Sequence, residues 1–306
     1  MLVVVCPGQG SQTPGFLEPW LANPVYAESI RTMAEQSRTD LVAAGTVADA
    51  DAIRDTAVAQ PLIVAAGVLA LDALFADGRR AAIGGIAGHS VGEITAAVGA
   101  GVLSTADALT FVGERGRAMK AAAALAPTGM SAVLGGDESE LLSRLTELGL
   151  EPANFNGGGQ IVVAGDSDAL AALAAAPPAK SRIIPLQVAG AFHTRHMVPA
   201  VQHLTEVARN LSPTAATLPL WTNSDGTVVS DGTEFVDLLV GQVSSPVRWD
   251  LCMQAFLAAG VTGIIEVAPA GALVGLAKRA LRGIPSVAVK TPADLPAAYD
   301  LIDQQA

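Results

Sequence analysis

The sequence predicts an α/β protein in two parts: a large unit formed by residues 1–127 and 191–306, and a smaller unit, 128–190, inserted into it. Three observations predict this. The chain opens on the apolar run Leu2–Cys6, which reads as a buried strand feeding the Gly-rich turn Pro7-Gly8-Gln9-Gly10-Ser11-Gln12. The pentapeptide Gly88-His89-Ser90-Val91-Gly92 lies between the apolar run Ala81–Ala87 and the helix-like stretch Glu93–Val98. Strand, tight turn, helix is the order of a nucleophile elbow, so the large unit is expected to be α/β-hydrolase-like. Between about 128 and 190 the element order becomes β-α-β-β-α-β, the ferredoxin-like pattern of the smaller unit.

Each element has its own signal. Helices are expected near 24–38, 48–57 and 60–76, the last an Ala/Leu/Val run starting at Gln60-Pro61, with proline at an allowed first-turn position. After the elbow, Ser104 or Thr105 caps a helix that runs to about Ala124, with Asp107 in its first turn and Arg115, Arg117 and Lys120 towards its end, the polarity the helix dipole favours. The smaller unit reads as strand Met130–Leu134, helix Glu138–Leu148 and two strands joined at Gly157-Gly158-Gly159. Helix Asp168–Ala175, capped by Asp166 or Ser167, and strand Ser181–Val188 complete it. The large unit then resumes with helices near 196–210, 233–242 and 250–259, strands Leu218–Thr222 and Gly263–Val267, helix Ala270–Leu281 and strand Ser286–Val289; from Thr291 onward no pattern stands out.

Composition bounds the function. The chain has 306 residues, 51% hydrophobic and 15% charged, with 18 Lys and Arg against 29 Asp and Glu for a net charge of −11. That length and apolar content suffice for a large core, and the acidic surface repels phosphate backbones, so no nucleic-acid partner is expected. Cys6 and Cys252 read as buried hydrophobes of a reduced cytoplasm. The N-terminal run lacks a basic flank and breaks at Pro7, unlike a signal peptide. No apolar run of bilayer-spanning length is free of Gly, Pro or charge, so no membrane is expected either.

Ser90 as a nucleophile requires a base, and the chain holds only His89, His193, His196 and His203. His89 is adjacent in sequence and should diverge from Ser90 at the turn. His203 falls in a helical pattern. His193, in a loop after Ala191-Phe192, is therefore the expected base, the alternative being a helix cap. A metal site on His193 and His196 lacks a third ligand at recognisable spacing. The Ser-Asp-His order of α/β-hydrolases would put an acid between 90 and 193, but Asp166 and Asp168 there read as helix caps of the smaller unit, so a neutral group is left to orient the base. Arg115 shares a helix face with apolar Phe111 and Met119. A guanidinium there needs an anion, either an internal carboxylate or that of a substrate.

With these residues in place the chain resembles the malonyl-CoA:acyl carrier protein transacylases of bacterial type II fatty-acid synthesis and their acyltransferase relatives in polyketide synthases. The resemblance spans nearly the whole chain. It rests on Pro7–Gln12, Gln60-Pro61, Gly88–Glu93, Arg115-Gly116, Asn154–Asn156 with Gly159-Gln160, Ala191-Phe192-His193, Gln242 ahead of Ser245–Trp249, and Glu266–Pro269. Departures are minor: Cys6 stands where an aromatic is common and Arg248 where a polar neutral residue can occur.

The resemblance implies that Ser90 takes a malonyl group from malonyl-CoA with His193 as base. Backbone N–H groups of Gln9 and Val91 would form the oxyanion hole, Arg115 would hold the malonyl carboxylate, and the Gln242 main-chain carbonyl would orient the histidine. Met119 and Phe192 would line the pocket, Phe192 within an Ala-Phe-His sequence that in the relatives goes with malonyl rather than methylmalonyl groups. The malonyl group would pass to the phosphopantetheine thiol of acyl carrier protein, with no cofactor held permanently. A monomer is expected, as is a basic docking patch at Lys278, Arg279 and Arg282, with Lys120, Arg117 and Arg195 as further candidates. A serine hydrolase or thioesterase with water as acceptor is the competing reading, and a polyketide-pathway acyltransferase a second.

Overall fold

The structure is a computed structural model that describes residues 1–305. The large unit opens with β1 (Leu2–Cys6), α1 (Glu18–Leu21), α2 (Pro24–Ser37), α3 (Leu41–Thr46) and α4 (Thr56–Phe75). It continues through β2 (Ile83–Gly88), α5 (Gly92–Gly99) and α6 (Thr105–Ala123). The smaller unit is β3 (Thr128–Gly135), α7 (Glu138–Leu148), β4 (Glu151–Gly157), β5 (Gln160–Asp166), α8 (Ser167–Ala175) and β6 (Ser181–Pro185). The chain then returns through α9 (Val198–Ala208), β7 (Leu220–Trp221), α10 (Gly232–Gln242) and α11 (Trp249–Ala258). It ends with β8 (Gly263–Glu266), α12 (Ala272–Ala280), β9 (Ser286–Ala288) and α13 (Leu295–Asp303).

Five strands form a parallel sheet in the order β7-β2-β1-β8-β9. Its central strand reads LVVVC and is buried throughout, as a sheet covered by helices on both faces demands. Parallel strands carry their loops to one carboxyl edge, the usual place for a site in such sheets. Here that edge gathers Gln9 after β1, Ser90 after β2 and Asn223 after β7.

The second sheet is antiparallel, in the order β4-β5-β3-β6. Side chains alternate along β3 with the strand period of two. Val133 packs with Leu141, Leu145 and Leu173 under α7 and α8. Met130 and Ala132 face the other way and join the large core. β4 is stitched to the large unit by Phe155 N–H to Val247 O and Val247 N–H to Ala153 O, each 2.9 Å. The inner face of the small sheet is thereby held over the carboxyl edge of the large one.

Three expectations need correcting. No helix spans 48–57: the Asp49 carboxylate accepts from the N–H groups of Asp51 and Ala52, a local turn that competes with helix, and only the short 3-10 turn Ala52–Arg54 forms. α4 starts at Thr56, capped by Asp55, so Pro61 lies inside the helix rather than in its first turn. α4 therefore runs unbroken past Pro61 and Gly67, and the stretch Thr56–Ala82 is long and apolar enough to cross a bilayer; 83% of its apolar window is buried inside the fold, where it serves as the central core helix. The segment after Thr291, which carries no signal in the sequence, forms α13 and buries Leu295, Ala298, Leu301 and Ile302. Ser104 caps α6 as expected, its hydroxyl accepting from Asp107 N–H at 3.0 Å. Both cysteines are buried and unpaired.

Candidate active site

The elbow is built by contact. A Cβ on Gly88 would meet the backbone of Gly92 at 2.0 Å, and one on Gly92 would meet the Cys6 carbonyl oxygen at 2.1 Å. β1, β2 and α5 approach this closely because neither glycine has a side chain. Ser90 at the tip has φ 53°, in the left-handed region that side chains seldom adopt. Its backbone N–H donates to Asn223 Oδ1 at 2.8 Å, and Asn223 Nδ2 donates to Gly88 O at 2.7 Å, so one side chain clamps both sides of the turn. The N–H groups of Gln9 and Val91 have no acceptor among the described residues, and both residues border the same cleft.

His193 is 4% exposed and also has a left-handed backbone, φ 62°. Its Nε2 lies 2.7 Å from Ser90 Oγ and its Nδ1 2.8 Å from the Gln242 main-chain oxygen. A carbonyl only accepts, so Nδ1 carries the ring proton and Nε2 is left to accept from the serine hydroxyl. Burial, and behind it the Arg115 charge, push the imidazole down to about 3 from its ordinary 6.5, so it is neutral at physiological pH.

Arg115, on α6, is 1% exposed. One end of its guanidinium donates to Gln60 Oε1 at 2.6 Å and the other to Gln242 Oε1 at 2.9 Å. Both partners are neutral amides, and no carboxylate lies within ion-pairing distance among the described residues. Burial lowers its pKa to about 10, while the Glu93 charge raises it. Glu93 is itself buried, and burial pushes its carboxyl up to about 8 against the opposing pull of Asn223 and Arg115. Ser90, His193 and Arg115 line one cleft of about 170 Å³, along with Met119, Phe192 and Gln9.

Residues 3–294 match the acyl transferase domain family. The chain belongs to this family. It is 50% identical over 299 residues to the malonyl CoA-acyl carrier protein transacylase of Mycobacterium tuberculosis, covering 96% of this chain and 98% of that one. The crystal structure of MCAT from the same organism superposes with a TM-score of 0.95 at 49% identity, covering 97% of this chain and 99% of the other. A malonyl-transacylase solved with its type II PKS acyl-carrier protein in the holo form gives a TM-score of 0.91 at 29% identity, covering 98% and 99%.

In this acyl transferase domain two of the remaining histidines have partners away from the pair. His89 Nε2 lies 2.8 Å from Asn156 Oδ1, and His203 meets Glu114 on the surface. Of the basic residues, Lys120 is paired with Asp55, Arg117 with Glu114 and Arg195 with Glu151. Lys278, Arg279 and Arg282 are exposed and have no acidic partner within 4 Å among the described residues. Arg279 packs over Gly158 in the turn between β4 and β5.

Sequence reasoning assigned no role to Asn223, Glu93 or the Gln60 side chain. Gln60 and Glu93 stand inside the motifs that carry the family resemblance, so a signal existed for them. Asn223 follows a two-residue strand and has none.

Proposed function

We propose that this chain transfers the malonyl group of malonyl-CoA to the phosphopantetheine thiol of acyl carrier protein in fatty-acid synthesis, through a malonyl ester on Ser90. The observation that carries the reading is Arg115: a buried cation hydrogen-bonded only to neutral amides, facing the cleft where serine and imidazole meet at 2.7 Å. Such a cation favours an acyl group bearing a carboxylate, and an uncharged acyl group leaves it unpaired at a cost of about 3–5 kcal/mol. A hydrolase or thioesterase acting on uncharged acyl groups has no use for it.

In the first half-reaction the Ser90 hydroxyl proton passes to His193 Nε2 as Oγ attacks the thioester carbonyl carbon. The carbonyl oxygen becomes an oxyanion, met by the N–H groups of Gln9 and Val91. Collapse breaks the carbon–sulfur bond, and coenzyme A leaves with the proton from His193. In the second half the carrier thiol gives its proton to His193, its sulfur attacks the ester, and Ser90 Oγ leaves and recovers the proton. The Gln242 carbonyl holds the imidazole in the one orientation and tautomer both halves need. The charge of Arg115 is one cause of His193's low basicity. A bound malonyl carboxylate offsets that charge, so the proper substrate strengthens the base it is about to use.

Phe192, at the wall of the cleft, restricts branching beside the carboxylate and favours malonyl over methylmalonyl by about 1–3 kcal/mol. Residues 128–190 act as the inserted unit that closes the cleft from above. Lys278, Arg279 and Arg282 form the docking patch for the carrier, supported by their exposure and lack of acidic partners. The buried thiols suit a reduced cytoplasm.

Intact mass spectrometry tests the reading. Brief incubation with malonyl-CoA yields one malonyl adduct, absent in Ser90→Ala, and holo acyl carrier protein discharges it. An adduct that decays to malonate as fast in water as with carrier establishes the hydrolase instead.

A further inference from the structure

Resting on the malonyl-transfer reading, we infer that Glu93 is a positioning residue, fixing the Gln242 side-chain amide so that its oxygen faces Arg115. The deciding fact is the economy of contacts at Gln242. Its main-chain oxygen accepts from His193 Nδ1, its Oε1 accepts from Arg115, and its Nε2 donates to the Glu93 carboxylate. One residue thus touches both the base and the anion-binding cation, and its amide is correct in only one of two orientations. Flipped, the amide sets an NH2 group against a guanidinium, donor against donor.

The Glu93 carboxylate removes that alternative. One oxygen accepts from Gln242 Nε2, and the other accepts from Asn223 N–H at 2.6 Å. The remaining acceptors near Gln242 Nε2 are weaker and already engaged. Ser90 O, at 3.2 Å, accepts from Glu93 N–H, and Asn223 Oδ1, at 3.3 Å, accepts from Ser90 N–H. Arg115's other flank repeats the arrangement. Gln60 gives Oε1 to Arg115 while its Nε2 is held by Met119 Sδ at 3.3 Å. Each amide beside the guanidinium therefore has its nitrogen end tied elsewhere, and at Gln242 the tie becomes a charge once Glu93 is ionised, above about pH 8. Position explains why Glu93 can do this: it stands three residues after the nucleophile, in the first turn of α5, and points into the gap between α10 and β7.

Glu93→Gln separates this role from simple packing. The amide has the same shape but one acceptor in place of two, so either Gln242 or Asn223 loses its partner. Loading of Ser90 from malonyl-CoA and from acetyl-CoA is timed for wild type and variant by intact mass, at about pH 8.5, where the carboxylate form prevails. Thermal unfolding of each protein is recorded alongside. The expected result is a folded variant whose malonyl-to-acetyl loading ratio falls about tenfold or more, because the defect lies at Arg115. In a Gln242→Met background the same substitution should change the ratio little, since the residue it acts through is gone.

Glu93→Asp, which withdraws the carboxylate by one methylene, carries the same measurement if Glu93→Gln does not fold. A ratio unchanged from wild type in whichever variant folds overturns the inference. So does an equal loss for both acyl groups that adds fully to Gln242→Met. Absence of any malonyl adduct in wild type is a separate outcome: it rejects malonyl transfer itself.

Discussion

Ser90 and His193 both sit in left-handed backbone conformations, φ 53° and 62°, and each is over-determined by its surroundings. Ser90 is fixed by the glycine contacts and Asn223, and His193 by its N–H to Val243 O at 3.0 Å. The price of that fixation falls on the histidine, which is buried where charge is costly. His193 titrates near 3 and Glu93 near 8, so neither changes state between about pH 6.5 and 5. The kcat/KM for malonyl-CoA should therefore show no break near 6.5, which a pH–rate profile of Ser90 loading checks. Stability behaves differently. The unfolded chain takes up a proton at His193 below about 6.5 while the folded chain does not until about 3, so this stabilisation is complete above 6.5 and is lost as pH falls through that window. Urea unfolding of His193→Gln should lose part of the wild-type acid slope. At this scale the legible residues were scarce or out of place: four histidines to choose from, and one arginine among apolar neighbours. Asn223 and Glu93 act through contacts spanning about 130 residues, which local spacing does not encode.

At the scale of elements, the elbow is where two strands and a helix meet without side chains between them. Gly92→Ala puts a Cβ 2.1 Å from the Cys6 carbonyl oxygen, a backbone atom that cannot rotate away, so α5 and β1 must separate. A loss of about 3 kcal/mol is expected, with Ser90 loading impaired. Gly275 in α12 is the control: nothing lies within 4 Å of an added Cβ and its φ is ordinary, so Gly275→Ala should gain about 0.4–1 kcal/mol. Urea denaturation of the two variants reads both signs. The same contrast explains which elements were legible. Long amphipathic or apolar runs and the βαββαβ order declare themselves by period. The segment 48–57 misled because its aspartates serve as turn and cap acceptors rather than a helix face, and Pro61 misled because Asp55 starts the helix a turn earlier.

For the whole molecule, the site exists only between the two sheets. Ser90 and Gln9 come from the parallel sheet's carboxyl edge, while Met130, Asn154 and Val162 border the cleft from the antiparallel one. A carrier that delivers a thiol to Ser90 must dock where the two units meet, and Arg279 lies there, over the β4–β5 turn. With a net charge of −11 the protein repels an acidic partner at long range, so the docking patch proposed at Lys278, Arg279 and Arg282 would have to act through its local field. Lys278 and Arg279 also end α12, adding their charge where the helix dipole is negative, which holds them in place without neutralising them. Charge reversal of Lys278, Arg279 and Arg282 together should slow malonyl discharge onto the carrier about tenfold or more at low ionic strength. Loading from malonyl-CoA should stay near the wild-type rate, and added salt, which slows wild-type discharge, should speed that of the variant by screening the new repulsion. Single-turnover discharge of preloaded enzyme, measured across ionic strength, separates the two. Equal slowing of loading and discharge would place these side chains on the coenzyme A path instead, and unchanged discharge would move the docking surface elsewhere on the rim of the cleft.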